Sequence, residues 1–89
     1  MIEANAKEDP FYLRPKGQVL VIFTIFEPPF ESPDHYVVRR FEVRAGETRW
    51  TPLFRKGQTL DEVRSLVPPG LACMTRDPTD APHIIESWL

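Results

Sequence analysis

Eighty-nine residues, 42% hydrophobic and 11% aromatic, describe one small globular domain rather than a disordered chain. A formal charge of −2 favours neither a nucleic-acid binder nor an acidic tail. The single cysteine excludes an internal disulfide, and with it a secreted disulfide scaffold, so the cytoplasm is the expected setting.

Residues 1–17 read as a flexible N-terminal tail. Glu3, Glu8 and Asp9 balance Lys7, Arg14 and Lys16, Pro10 and Pro15 interrupt the stretch, and no apolar period holds. Phe11-Tyr12-Leu13 is the exception, an apolar triplet fit to dock on the domain or on a partner. A single domain is expected over residues 18–89. Its first element is Val19–Phe26, in which seven of eight residues are apolar and four of those are β-branched. With no polar side, such a strand needs cover on both faces. It is far shorter than the roughly 20 residues that span a bilayer. The acidic residues before it and Glu27-Pro28-Pro29 after it do not make a signal peptide, so no membrane association is expected.

Pro28, Pro29 and Pro33 make residues 27–34 a stiff connection, with Phe30 in it. A hairpin follows. With Ala45-Gly46 as a two-residue turn, Arg44 meets Glu47, Val43 meets Thr48, Glu42 meets Arg49, Phe41 meets Trp50 and Val37 meets Phe54. This register sorts charge pairs onto one side and large apolar pairs onto the other, and a one-residue slip destroys the sorting. A three-residue turn at Ala45-Gly46-Glu47 is the alternative. Pro52, opposite Arg39 in this register, cannot donate to a ladder, which makes the second arm an edge strand.

Thr59 and Glu62 form a capping box opening a helix over 59–67, with Leu60, Val63, Leu66 and Val67 on one face and Pro68-Pro69 as the stop. Residues 71–75 and 84–89 read as two further strands, joined through the turn-rich segment 76–82. The order β-β-β-α-β-β predicts an α+β fold: a mainly antiparallel five-stranded sheet with one short helix on one face.

Pro33-Asp34-His35-Tyr36-Val37-Val38-Arg39-Arg40-Phe41 resembles the PD-x-(F/Y)-V-x-R-R segment of a family of short uncharacterised α-proteobacterial proteins. Pro68-Pro69-Gly70-Leu71-Ala72-Cys73 is similar to that family's PPGL-x-C segment, and the end of the chain, Pro82 to Leu89, to its DP-x-I-V-E-x-W-L segment. Asp80-Ala81-Pro82 departs from the family's Asp-Asp-Pro. The resemblance covers roughly Val19 to Leu89. It implies the domain limits and a bacterial, intracellular setting, and it implies no activity.

Three chemistries bear on these residues. The hairpin region from His35 to Gly57 carries a net +4. Cross-strand pairing leaves Arg39, Arg40, Arg55 and Lys56 for phosphates, with Trp50 nearby to stack a base. The acidic balance of the whole chain argues against this nucleic-acid reading. His35, His83 and Cys73 lack metal-ligand spacing, and Cys73 is expected to be a small buried hydrophobe. No catalytic motif or cofactor fingerprint occurs, so neither an enzyme nor a cofactor is expected, and a pocket-based ligand binder stands as a third reading. The reading that leads is protein interaction. A partner protein or a second copy of the chain would cover the second face of Val19–Phe26, with Phe11, Phe30, Trp50 and Trp88 as contact residues. Its counterpart is a monomer in which strand curvature, Phe11, Phe30 and Trp88 close that face.

Overall fold

The computed structural model describes residues 9–15, 17–28, 34–76 and 83–89. Phe30 and residues 77–82 of the closing segments lie outside them. The apolar run becomes β1 (Val19–Phe26), followed by β2 (Tyr36–Arg44), β3 (Glu47–Gly57), α1 (Leu60–Ser65), β4 (Cys73–Thr75) and β5 (Ile84–Trp88). They form one antiparallel sheet in the order β3-β2-β1-β5-β4. The most hydrophobic strand therefore sits at the centre, and β3, the strand interrupted by Pro52, is an edge.

The hairpin turns at Ala45 (φ +54°) and Gly46 (φ +82°). Two successive positive φ values give the mirror-type turn whose twist matches that of the strands. The pairs from Arg44–Glu47 through Phe41–Trp50 form as expected, but beyond them the register shifts. Arg39 lies opposite Phe54 and Val37 opposite Lys56, which corrects the expected pairings of Val37 with Phe54 and Arg39 with Pro52. The cause is local. Pro52 has no N–H to give, so Thr51-Pro52-Leu53 bulges. The Thr51 hydroxyl fills in for the ladder, donating to the Arg40 carbonyl (2.6 Å) and accepting from the Leu53 N–H (3.3 Å).

Thr59 caps α1 by accepting from the Glu62 N–H at 3.1 Å, while the Glu62 carboxylate accepts from the Gln58 N–H. The helix is shorter than expected. Its last turn tightens to the bonds Leu66 N–H to Val63 C=O and Val67 N–H to Arg64 C=O, because a residue before proline avoids the α conformation. Six residues cannot hold a helix alone, and α1 packs on β2 and β3.

The core forms between the helix and one face of the sheet: Phe23 and Ile25 of β1, Val38 of β2, Val63 and Val67 from the helical segment, and Phe11. Phe11 is 0% exposed. Residues 9–15 are thus a docked arm, and the core extends N-terminal to residue 18; residues 1–8 and 16 of the expected tail lie outside the described residues. Among the described residues no helix is long and apolar enough to cross a membrane.

Candidate interaction surface

Strand alternation divides the described residues of the sheet between two environments. Val21, Phe23 and Ile25 of β1 share a face with Val38 and Arg40 of β2, and this is the side that carries α1 and Phe11. Leu20, Ile22, Thr24 and Phe26 share the other with Val37, Arg39, Phe41 and Val43. On that second face β3 adds Trp50, Phe54 and Lys56, and β4 adds Met74. No described element is laid across it, and its large side chains stay in contact with solvent: Trp50 is 62% exposed, and Leu20, Phe54 and Met74 are exposed as well.

Arg39 organises the middle of this open face. Its guanidinium lies 5.1 Å from the Trp50 ring centre and 5.2 Å from that of Phe54, and Lys56 stands 6.0 Å from Phe54. The bulge makes this possible: by pulling Phe54 opposite Arg39, it sets the cation between two rings. Phe26 and Phe41 add a tilted ring pair with centres 6.5 Å apart. Thr24 and Ser87 bind each other's hydroxyls at 3.1 Å, so the polar atoms here are satisfied locally. Arg39 and Lys56 are the charged side chains that the described strands place on this face.

The four cations singled out in the sequence part company. Arg40 is 3% exposed and on the helix side. It donates through Nη1 to the Phe11 carbonyl (3.0 Å) and through Nε to Glu42 (3.2 Å). Arg55 binds both carboxylate oxygens of Asp9 (2.6 and 2.8 Å) and stacks on the Phe11 ring at 4.7 Å. Hydrogen bonds from Arg55 and from the Phe11 N–H hold the Asp9 carboxyl below its ordinary range. These two arginines anchor the arm, and only Arg39 and Lys56 reach the open face. Tyr12 completes the anchoring by donating to the Leu66 carbonyl at 2.7 Å.

The aromatic candidates divide in the same way. Trp50 lies on the open face, whereas Phe11 and Trp88 lie on the helix side, so neither closes the second face of β1 as the monomer alternative required. The Trp88 indole donates to Glu86 Oε2 at 2.8 Å. Glu86, nearly buried, also receives Nε and Nη2 of Arg64, both at 2.9 Å. The Arg64 hydrogen bonds, against the opposing effect of burial and with help from Trp88, hold this carboxyl below its ordinary range. This clamp ties α1 to β5 and was invisible in the sequence, where its members lie 22 residues apart without a shared motif. Cys73 is exposed on β4 rather than buried, beyond the reach of the short helix. Partial desolvation and the neighbouring Glu86 carboxylate push its thiol up, away from nucleophilic character. His35 and His83 stand just ahead of β2 and β5, and among the described residues no three His, Cys, Asp or Glu side chains gather to hold a metal.

A scan against protein-family models finds no match to this chain, and neither does a search of curated proteins or of solved structures.

Proposed function

We propose that the chain is a non-enzymatic protein-interaction domain that pairs with a second copy of itself, open face against open face, in the bacterial, intracellular setting the sequence resemblance implies. One observation carries this reading: a continuous apolar surface over β1, β2 and β3, centred on Ile22, Phe41 and Trp50, to which the described strands contribute only two charges. Apolar patches of this kind on small domains mark contact sites.

The dimensions fit a modest self-association. β1, β2 and β3, at about 4.8 Å spacing and each at least eight residues long, give the apolar surface a footprint of roughly 14 by 27 Å before side-chain relief is added. That is the scale of a small interface, below the ~800 Å² per partner of a standard one. Two such sheets form a sandwich with an ordinary separation of about 10 Å.

Single-stranded nucleic acid is the weaker occupant. Trp50 and Phe54 could stack bases, but Arg40 and Arg55 are spent on the arm, which leaves two cations for the phosphates.

Sedimentation at several concentrations tests the proposal. The wild-type chain is expected to dimerise, and Trp50→Glu to sediment as a folded monomer. A wild-type chain that stays monomeric up to about 1 mM overturns the reading.

A further inference from the structure

The opposite side of the sheet holds a cavity of about 370 Å³ where β1 begins. Its walls are Val19, Val21 and Phe23 of β1, Leu71 and the two prolines after α1, and the arm residues Tyr12 to Pro15. The volume lies in the range of small-molecule sites, and most of the lining side chains are apolar, with polar atoms between them. Among the described residues, the charged side chains that line it are Arg14 and Arg40, and no side-chain carboxylate does.

Arg40 gives the cavity its chemistry. A guanidinium that is 3% exposed needs its charge balanced and its donors used. Glu42 supplies one negative charge, at 3.2 Å from Nη2, and the Phe11 carbonyl takes one N–H of Nη1. Of five donors, these contacts with the Nε bond occupy three. Arg14 and Arg40 bring two positive charges, set against Glu42 on Arg40 and the carboxylate of Leu89 at the cavity wall. The geometry points to a binding site for a small amphiphilic monocarboxylate, its carboxylate directed to Arg40 and its alkyl chain along Val19, Val21, Phe23 and Leu71. A planar guanidinium fork with two donors still open matches a carboxylate in shape. Arm residues form one wall, so the ligand and the docked arm stabilise each other.

Octanoate is the probe, titrated into the full chain by calorimetry, with octan-1-ol as the uncharged control. Saturable binding at one site per chain is expected, with octanol at least about tenfold weaker, the ratio a single charge-assisted contact of about 1.4 kcal/mol supplies. Leu71→Trp fills the cavity and removes binding. Val19→Phe serves the same purpose if that variant does not fold. Trp50→Ser, on the far face, leaves binding intact. Absence of saturable binding, equal affinity for octanol, or persistence of binding in a folded cavity-filled variant overturns the site. Loss of binding in Trp50→Ser places the probe on the open face and overturns it as well. Of the strand residues that line the cavity only Leu20 also belongs to the open face, so Trp50→Ser, which removes association there, separates failure of this site from failure of the dimer.

Discussion

The two faces of the sheet come from the same strands, one residue out of step, yet they solve opposite problems. On the helix side, charged residues are used to bury an apolar one. Arg40 and Arg55 hold the carbonyl and the carboxylate that flank Phe11, and the ring drops between them to full burial. On the open side, apolar residues hold a charged one, with Arg39 laid between Trp50 and Phe54 and left near solvent. Adjacent residues in one strand, Arg39 and Arg40, thus serve different ends, and alternation alone decides which. The difference locates stability on one face and available surface on the other.

The largest test of that division is Phe11→Ala. Emptying a fully buried aromatic site costs about 3–5 kcal/mol, a large share of the ~5–15 kcal/mol that stabilises a domain. Urea denaturation should show the midpoint collapse. A change within about 1 kcal/mol would mean that the arm is a loose strand-end after all, and the asymmetry between faces would fail.

Glu86→Ala probes the same face from its other end. It strips the Trp88 indole and the Arg64 guanidinium of their shared acceptor in a nearly buried position. A cost of about 2 kcal/mol is expected, below that of the arm because Arg64 is half in solvent. The pH dependence has a definite sign. The folded-state pKa of Glu86 lies below its unfolded value. Its contribution is therefore fully present above the ordinary glutamate pKa of about 4.3 and is lost as pH falls through the lowered folded value. Unfolding curves at several pH values should show that acid loss in the wild-type chain and a shallower one in Glu86→Gln. Asp9 is depressed by Arg55 in the same direction and supplies part of what remains.

A smaller effect is expected where the helix meets the sheet. A Cβ on Gly57 would stand 2.8 Å from Val63 Cγ1 and 3.0 Å from Glu62 Oε1. Glu62 can swing away, but Val63 is packed in the core, so Gly57→Ala should cost about 1–2 kcal/mol in denaturation.

How much of this was legible follows the range of the interactions. The Ala45-Gly46 turn, four hairpin pairs, the Thr59 cap and the central strand all rest on neighbours in sequence, and all appear. The bulge at Pro52 was half legible: the missing donor was read as an edge signal, but Thr51 standing in for the ladder was not foreseen. The arm was read as a tail because nothing local orders it. Its partners are 29 and 46 residues away, and an apolar triplet between two prolines is too short to carry a period. Residue type alone points to burial for Cys73, but a helix of six residues does not reach far enough to cover it. Of the candidate surface, Arg39, Lys56 and Trp50 were named from local charge and aromaticity. Those signals could not assign a face beyond the bulge, where the register changes.

The smallest expected change in stability is also the sharpest test of the comparison. Trp50 is 62% exposed, and its principal described contact is the cation–π stack with Arg39. Such stacks at exposed sites contribute about 0.5–1 kcal/mol. Trp50→Ser should therefore shift the denaturation midpoint of the monomer by no more than about 1 kcal/mol, a fraction of the Phe11→Ala effect. Measured at low concentration by denaturation and at high concentration by sedimentation, the variant should separate two properties that Phe11→Ala loses together: the fold persists and the association disappears. If Trp50→Ser instead unfolds the dilute monomer, the ring is part of a core that the open face was held not to have. The two faces would then have to be treated as one structural unit.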